Sequence, residues 1–396
     1  MSFFKVSEKV TWVGKIDWDL QSFHGDELST YRGSSYNAYL IRDEKNVLID
    51  TVWKPFDEEF VENLKKEIDL KDIDYIISQH GEIDHSGALP LLMREIPDTP
   101  IYCTANGIKS LKGHYHQDWN FVEVKTGDTL NIGKSTLTFV EARMLHWPDS
   151  MMTYMDTDKI LFSNDAFGQH YATDQMFNDL VDECELWEEA IKYYANILTP
   201  FSPLVTSKIK EILSFELPLE IIATSHGILW RDNPGQIIEK YLEWADAYQE
   251  NQITIIYDTM WNGTKRMAEK ISEGIKNIDK DTRVKLYNAA HTDKNDMITE
   301  IFKSKALLVG SATVNKGIMH GSGGLLDMIR GIGFKNKKAA AFGTYGWSGE
   351  SVGILEEKLS NAKFEIVQDG LKALWMPDEE AQEACIEFGE NFAKVL

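Results

Sequence analysis

The sequence predicts an α/β protein of two domains, on three observations. A length of 396 residues favours two cores over one. Up to about residue 250, short apolar runs separated by turn signals are typical of a sheet-rich α/β segment. From residue 252 onwards, strand and helix patterns alternate regularly, which predicts a doubly wound parallel sheet with helices on both faces. We therefore expect domains at 1–250 and 251–396.

In the first domain, most apolar runs are too short for helices and predict strands. A helix is expected at FDEEFVENLKKEI, where Phe56, Phe60 and Leu64 share one face, and residues 181–215 and 236–249 also have helical patterns. The predicted strands are VTWVGKI, SYNAYLIR, NVLIDT, IDYIIS, PIYCT, FVEVK, LTFVEARML and ILFSND.

In the second domain the pattern predicts five strands and five helices in alternation. The strands are ITIIYDT, VKLYNAA, ALLVGSA, AAAFGTYG and KFEIV. The helices are TKRMAEKISEGI, DMITEIFKS, GLLDMIRGIG, ESVGILEEKLS and DEEAQEACIEFGENFAKVL.

The composition excludes several classes of protein. Lysine and arginine number 41 against 63 acidic residues, and the net charge of −22 disfavours nucleic acid or an anionic membrane as a partner. No run reaches the roughly 18 apolar residues of a membrane helix, and MSFFKVSEKV does not resemble a signal peptide, so we expect a cytoplasmic protein. Cys103, Cys184 and Cys385 form no Cys-x-x-Cys pair, so any metal is expected on nitrogen and oxygen ligands.

The stretch QHGEIDHSG holds four potential metal ligands in six positions, directly after the predicted strand IDYIIS. Alternate residues of an extended segment point the same way, so His80, Glu82 and Asp84 are expected to converge while His85 faces the other side. A solvated acidic turn is the better interpretation for any single residue of this kind. Four such residues so close together favour a site.

Three further candidate ligands each follow an apolar strand: His146 in MLHWPD, Asp165 in LFSNDAFG and His226 in IIATSHG. Each alone is more typical of a strand end or a helix cap. Together with the first cluster they suffice for two metal ions, and Asp165 can bridge them because a carboxylate has two oxygens. A carboxylate-rich set without thiolates favours iron or manganese, although spacing leaves the metal open.

A second candidate site lies where the strand ITIIY leads through DTMWNGT into a helix. Unpaired N–H groups and the helix dipole favour an anion there, and Thr259 and Thr264 add hydroxyl donors. The loop has neither the lysine of a nucleotide-hydrolysing P-loop nor Gly-x-Gly-x-x-Gly, so a single terminal phosphate fits best. An ordinary helix cap is the alternative.

His-x-Glu-x-Asp-His, followed by His146, Asp165 and His226, resembles the metallo-β-lactamase fold as it occurs in flavodiiron proteins. Hydrolases of that superfamily usually carry a histidine at the position of Glu82. The resemblance extends through RGSSYNAYLI, HWPDSMMTY, FSNDAFGQHY and YYANILTPFS and covers essentially the whole chain. It implies an N-terminal metallo-β-lactamase-like αββα sandwich plus a C-terminal flavodoxin-like doubly wound parallel sheet.

The resemblance implies two non-haem iron ions bridged by Asp165. One would be held by His80, Glu82, His146 and Asp165, and the other by Asp84, His85, Asp165 and His226. His24, and Tyr193 or Tyr194, resemble residues that hydrogen-bond a bound diatomic molecule, although purely structural hydrogen bonds are an equal alternative. The remaining histidines are expected to be surface or packing residues: His114, His116, His170, His291 and His320.

The loop at residues 259–264 resembles the phosphate loop of flavodoxins, with Asn262-Gly263 replacing the commoner Gly-Asn order. SATVN and GTYGWSG lie where flavodoxin-like domains surround an isoalloxazine ring. The implied FMN-binding residues are Thr259, Met260, Trp261, Asn262, Gly263, Thr264, Ser311, Ala312, Thr313, Val314, Asn315, Thr344, Tyr345, Gly346, Trp347, Ser348 and Gly349.

By resemblance, the expected activity is an oxidoreductase that reduces O2 to water, NO to N2O, or both, and protects cells from oxygen or nitrosative stress. Because no Cys-x-x-Cys pair encodes a fused rubredoxin, the expected electron donor is a separate rubredoxin or an NAD(P)H-linked reductase. A head-to-tail homodimer or a dimer of dimers is expected, with Trp347 at the junction.

Two other classes of function remain open. A zinc hydrolase with an appended flavodoxin domain is disfavoured by Glu82. An electron carrier with a vestigial first domain is disfavoured because all seven ligand positions are filled. Metal analysis separates the hydrolase from the reductase, and the effect of Asp165→Ala separates the electron carrier.

Overall fold

The structure, a computed structural model, describes residues 3–396 and divides them into two compact units. The first extends to Tyr194 and includes Phe201–Leu242, whereas the second consists of Ala195–Pro200 and Glu243–Leu396. The division after Leu242 falls inside a helix, Gly235–Ala245, which the sequence pattern assigns wholly to the first domain. Within residues 3–396, no helix is both long and apolar enough to span a membrane.

Two sheets form the framework of the first unit. The larger has the strand order β1-β2-β7-β8-β9-β10-β11, and the smaller has the order β12-β13-β14-β15-β16. Two short ribbons, β3–β6 and β4–β5, accompany them. The strands are β1 Phe4–Lys5, β2 Val10–Trp12, β3 Lys15–Asp17, β4 Ser22–Phe23, β5 Leu28–Ser29, β6 Ser34–Tyr36, β7 Tyr39–Ile41, β8 Asn46–Ile49, β9 Ile73–Ile77, β10 Ile101–Cys103, β11 Phe121–Glu123, β12 Thr129–Asn131, β13 Thr136–Glu141, β14 Met151–Met155, β15 Ile160–Asn164 and β16 Ile221–Thr224.

Helices cover the outer faces of both sheets. One apolar cluster fills the space between the sheets, and a second joins the larger sheet to α1, α3 and α4. Beyond the smaller sheet, the ring centroid of Trp187 in α5 lies 5.2 Å from that of Trp230. The backbone of Trp230 forms an isolated β-bridge with Ile222 of β16. The αββα sandwich is therefore confirmed. The helices are α1 Asp57–Glu67, α2 Ile83–Ser86, α3 Leu89–Glu95, α4 Ala105–Tyr115, α5 Glu183–Tyr193, α6 Ser202–Ser214 and α7 Gly235–Ala245.

The helical pattern at residues 181–215 predicts more helix than forms. A π-helical turn at Tyr194–Leu198 and a 3-10 turn at Thr199–Phe201 separate α5 from α6. Pro200 and Pro203 explain the interruption, because proline lacks the N–H that a continuous helix requires. Two further 3-10 turns lie at Lys54–Phe56 and Leu70–Asp72.

The second unit is the doubly wound domain predicted from the alternating pattern. Its sheet has the order β18-β17-β19-β20-β21, with β22 also paired to β20, and every pair is parallel. The strands are β17 Glu250–Asp258, β18 Arg283–Asn288, β19 Ser304–Ser311, β20 Lys338–Tyr345, β21 Glu365–Ile366 and β22 Leu371–Leu374. The helices are α8 Gly263–Ile278, α9 Lys294–Lys303, α10 His320–Ile332, α11 Glu350–Asn361 and α12 Glu379–Lys394.

Two details of this unit were not predicted. The fifth strand is split, because the chain leaves the sheet after β21 and returns as β22 past Gly370, whose N–H donates to Glu356 Oε1 over 2.7 Å. Helices α8 and α12 approach so closely that a methyl group at Gly274 would lie 2.0 Å from the Ile386 carbonyl oxygen. Glycine is required at this contact because no side chain fits there.

Lys337 provides a stability prediction. Its buried ammonium group donates to the carbonyl oxygens of Tyr248, Phe302 and Ser304 over 3.2, 2.9 and 2.5 Å, and burial lowers its pKa to about 7. The unfolded chain, with an ordinary lysine pKa, therefore binds more protons above pH 7. Stability should rise between pH 7 and 8.5, by at most about 1.4 kcal/mol per pH unit.

Lys337→Met should remove this rise while keeping the length of the side chain. Urea unfolding followed by flavin fluorescence, at pH 7 and pH 8.5, measures the difference for both proteins. An equal rise in stability with pH in both proteins would mean that Lys337 is not its source.

Candidate functional site

The structure brings all seven candidate metal ligands together from separate segments. The four ligands in QHGEIDHSG lie after β9 or within α2. Asp165 follows β15, and His226 follows β16. His146 lies in the loop between β13 and β14, five residues beyond Glu141 and not directly after the strand as predicted. Each of His80, Asp84, His85, Asp165 and His226 is at least 95% buried.

The extended conformation predicted for the first motif is wrong beyond Glu82. Residues Ile83–Ser86 form a helical turn, which Ser86 closes by donating its N–H and its hydroxyl to the Glu82 carbonyl oxygen over 3.0 and 2.7 Å. The turn breaks the alternation of an extended chain. Asp84 therefore groups with His85, and Glu82 groups with His80.

The first group of ligands is centred on His80. Its Nε2 lies 3.2 Å from Glu82 Oε2 and 3.6 Å from Asp165 Oδ2, and His146 Nε2 lies 3.7 and 3.5 Å from the same two oxygens. In the second group, Asp84 Oδ2 lies 3.1 Å from His85 Nε2 and 3.0 Å from His226 Nε2.

Asp165 joins the two groups through different oxygens. Oδ2 faces the first group, whereas Oδ1 lies 3.1 Å from His85 Nε2 and 3.5 Å from His226 Nε2. The two oxygens of one carboxylate thus face two different pairs of imidazoles, which is the arrangement a bridging ligand needs.

The electrostatics of the cluster favour bound cations. Burial lowers the pKa of His80, but hydrogen bonds with Asp149 and Glu82 outweigh it and hold that pKa well above its usual value. Burial likewise lowers the pKa of His85, yet the charges of Asp84 and Asp165 raise it to about 9. Because the carboxylates stabilise positive charge on their neighbours, they also stabilise a metal ion in its place.

Two buried carboxylate oxygens without hydrogen-bond partners in the part of the chain that the structure describes also favour a bound metal ion. Asp84 Oδ1 and Asp165 Oδ2 are buried and have no hydrogen-bond partner among residues 3–396. Buried carboxylate oxygens normally have partners, and a metal ion would provide one. The ligand atoms of Asp84, His85 and His226 lie within 4.8 Å of one another, as do those of His80, His146 and Asp165.

Outer residues that the sequence pattern did not reveal orient these ligands. Asp149 Oδ2 lies 3.2 Å from His80 Nδ1 and accepts the Gly81 N–H over 2.7 Å. Ser225 donates its hydroxyl to Asp165 Oδ1 over 2.8 Å. His226 Nδ1 lies 2.7 Å from the Ser35 carbonyl oxygen. Of these outer residues, only Asp149 could have been suspected from the sequence, because it lies three residues after the candidate ligand His146.

A cavity of about 560 Å³ leads to both groups. His24 lines it, and its Nε2 lies 2.7 Å from Glu82 Oε1. Trp147 also lines it, and its ring centroid lies 5.1 Å from that of His80. The lining residues are Leu20, Ser22, Phe23, His24, Gly25, Asp26, Trp53, Glu82, Ile83, Asp84, His114 and Trp147.

The structure distinguishes the two candidate tyrosines. Tyr193 is buried, and its ring centroid lies 5.2 Å from that of His170, whose ring in turn lies 5.4 Å from that of His226. The hydroxyl of Tyr194 lies 3.0 Å from Ser202 Oγ, which gives it a structural partner. His170 is buried near the cluster, with Nδ1 2.9 Å from the hydroxyl of Ser34, and is not a surface residue.

The three candidate FMN loops lie at one edge of the second sheet, because β17, β19 and β20 are parallel neighbours. The loop after Asp258 enters α8 through Asn262, whose φ of 66° is left-handed. Thr264 Oγ1 and Thr344 Oγ1 lie 2.8 Å apart, and the Thr313 N–H donates to the Thr344 carbonyl over 2.8 Å. These contacts join the three loops to one another.

The donor set of this edge fits a phosphate and a flavin ring. Thr259 Oγ1 is buried and lacks a hydrogen-bond partner within the described chain, at the start of the helix-entry loop. Trp261 and Trp347 are 84% and 87% exposed, which leaves aromatic surface beside the loops. An anion at the helix N-terminus and a planar ring against the aromatic side chains would satisfy both features.

Two protein-family models match the chain, one for each unit. A model described as ODP family beta lactamase matches residues 35–227, and the flavodoxin model matches residues 255–389. The flavodoxin match indicates FMN as the ligand of the second unit.

The relatives are similar over nearly the whole chain. An anaerobic nitric oxide reductase flavorubredoxin from Klebsiella pneumoniae is 58% identical over 98% of this chain and 81% of its own length. The structure of rubredoxin oxygen:oxidoreductase from Desulfovibrio gigas has a TM-score of 0.96 at 36% identity, covering 100% of this chain and 98% of that chain. The flavodiiron protein from Giardia intestinalis has a TM-score of 0.94 at 32% identity, covering 100% and 96%. At this identity and coverage, the chain belongs to the flavodiiron protein family.

Proposed function

We propose that this chain reduces O2 to water, NO to N2O, or both, at a non-haem di-iron centre supplied with electrons through FMN. The observation that carries the proposal is Asp165, whose two oxygens face two separate pairs of imidazoles. Two of the relatives named above, which match nearly the whole of this chain, are a nitric oxide reductase and an oxygen oxidoreductase, which favours reduction over hydrolysis. The enzyme is accordingly an oxidoreductase.

We assign one iron to His80, Glu82, His146 and Asp165, and the other to Asp84, His85, Asp165 and His226. Four imidazoles and three carboxylates without thiolates suit iron. When bound, the irons supply single electrons and hold the reacting atoms close together, and FMN supplies electrons in pairs.

The remaining residues control access and hydrogen bonding. Apolar side chains such as Phe23, Trp53 and Trp147 line the cavity and suit small, weakly polar gases. His24 lines the same cavity and its Nε2 lies 2.7 Å from Glu82 Oε1, so it keeps that carboxylate oriented beside the entry path. Of the two tyrosines, Tyr193 is the better candidate for contact with substrate, because it lies beside His170 near the ligands.

FMN would occupy the loops that follow β17, β19 and β20. The N–H groups at the start of α8 would bind its phosphate, with Thr259 adding a hydroxyl that has no other partner in the described chain. Reconstitution of the flavin-free protein with FMN and with riboflavin tests this role. A loss of affinity without the phosphate is expected, and equal affinity for the two would contradict it.

Anaerobic turnover of the reduced protein with each gas tests the central proposal. Iron and FMN are first quantified per chain, and an electrode then follows consumption of O2 or NO. Consumption of at least one gas is expected. A protein that holds both cofactors and consumes neither would contradict the proposal, and one that holds about two zinc ions and no iron would indicate a hydrolase.

Asp149→Asn is expected to weaken metal binding about 10- to 100-fold, because His80 depends on this carboxylate for its orientation and tautomer. The first group should lose iron, whereas the second, whose His226 is held by the Ser35 carbonyl, should retain it. Elemental analysis should therefore find about one iron per chain with FMN unchanged.

Asn106→Ala is a matched control. Asn106 donates to the carbonyl oxygen of Pro148, the residue before Asp149, and this bond involves no candidate ligand. Full iron content in the Asp149 variant would argue against its orienting role.

The family resemblance also leads us to propose a head-to-tail homodimer, or a dimer of dimers, as the active form. The exposed ring of Trp347 is available for such an interface. Sedimentation with simultaneous assay tests this, and a fully active monomer would contradict it. We further propose a rubredoxin or an NAD(P)H-linked reductase as the donor, to be tested by rapid-mixing reduction of the flavin.

We also propose that the protein acts in the cytoplasm against oxygen or nitrosative stress. The exposed free thiol of Cys184 is compatible with a reducing compartment. Cell fractionation and the growth of a deletion strain under NO or O2 test these two statements separately.

A further inference from the structure

Trp375 combines two unfavourable features in one residue. It follows β22 directly, and its φ of 53° lies in the left-handed region that a bulky side chain rarely adopts. Its indole is also 62% exposed, although burial of so large an apolar group is normally favourable. Strained, exposed residues of this kind persist where the surrounding structure holds them, often at ligand sites.

The contacts of Trp375 join two of the candidate FMN loops. A methyl group at Gly346 would lie 2.7 Å from two atoms of the indole, so the ring rests against the bare backbone there. The Trp375 carbonyl oxygen would lie 3.0 Å from a methyl group at Gly263, the first residue of α8. The backbone N–H of Trp375 donates to the Tyr345 carbonyl oxygen over 2.8 Å. Both glycines are therefore fitted to this tryptophan.

The indole also faces the exposed aromatic surface of the site. The ring centroids of Trp347 and Trp375 lie 6.4 Å apart, with 57° between the ring planes. Because β22 is parallel to β20, Trp375 leaves the sheet at the same edge as the three predicted loops. The edge therefore provides four segments for a ligand, and the fourth was absent from the sequence prediction.

We propose that Trp375 is an FMN-contacting residue whose indole forms one wall of the isoalloxazine site. The proposal rests on the proposed function, in which the second unit binds FMN. A flavin ring would cover the exposed indole and gain an aromatic contact. Contact with Gly263, Tyr345 and Gly346 would hold the indole in position before the flavin binds.

Titration of the flavin-free protein with FMN tests the proposal, with flavin fluorescence as the signal. Trp375→Ala should raise the dissociation constant at least about fivefold and make the bound flavin more fluorescent, because an aromatic contact is lost. Trp375→Phe should keep most of the affinity. Trp18→Ala, which removes an exposed tryptophan of the first unit, is the matched control and should change neither value.

Trp375→Leu provides a second test if the alanine variant folds poorly. It keeps an apolar side chain against Gly346 but removes the aromatic ring, so FMN affinity should fall. Unchanged affinity and fluorescence in Trp375→Ala would overturn the inference, and dissociation of a dimer at unchanged affinity would assign the indole to a second copy of the chain. Failure of the wild-type protein to bind FMN would instead overturn the proposed function.

Discussion

Asp165→Ala is expected to lower gas reduction by more than about 100-fold, because loss of a ligand costs more than loss of an outer partner. The substitution removes an oxygen from each group at once, so both irons should be lost or weakly held. The FMN content should not change, because the candidate flavin residues belong to the other unit. Elemental analysis, flavin absorbance and an electrode assay measure the three quantities on one sample.

Ser225→Ala provides a graded comparison. It removes the hydroxyl that donates to Asp165 Oδ1 and leaves the carboxylate itself in place. We expect a smaller loss of metal affinity, about 10-fold. Full iron content and full gas reduction in Asp165→Ala would contradict the bridging assignment. A protein without iron whose electron transfer is unchanged by the substitution would favour the electron-carrier hypothesis.

Glu82→His is expected to shift metal retention from iron towards zinc and to lower gas reduction. One oxygen of Glu82 contacts His24 and the other faces the imidazoles of His80 and His146. A histidine removes a negative charge from the cluster, and an imidazole-rich set without that charge suits zinc. Growth with equal iron and zinc, followed by elemental analysis, measures the shift.

Glu62→His is a matched control for the same chemical change. Glu62 lies on the exposed face of α1 and pairs with Lys65, away from every candidate ligand. Metal content and activity should match those of the wild type. An unchanged iron-to-zinc ratio in Glu82→His would mean that this carboxylate does not select the metal.

Sequence reasoning reached the fold class and the set of ligand types because both depend on local patterns. The alternation after residue 252 identified the parallel sheet, and the density of candidate ligands at residues 80–85 predicted a metal site. Local reasoning failed where contacts distant in sequence decide the outcome. The extended segment ends at Glu82 because Ser86 donates hydrogen bonds to the Glu82 carbonyl oxygen and closes a helical turn. The alternation of side chains along a strand does not predict these bonds.

The sequence by itself determined the two-domain α/β class. It also predicted nitrogen and oxygen ligands for a metal, and a phosphate site in the loop after β17. These follow from composition, periodicity and spacing, which act over a few residues. The resemblance implied how the ligands divide into two groups, which local spacing did not predict. Only the tertiary structure placed Asp149 beside His80 and Trp375 against Gly346. Packing brings these residues together from distant parts of the chain, and spacing along the sequence carries no record of such distances.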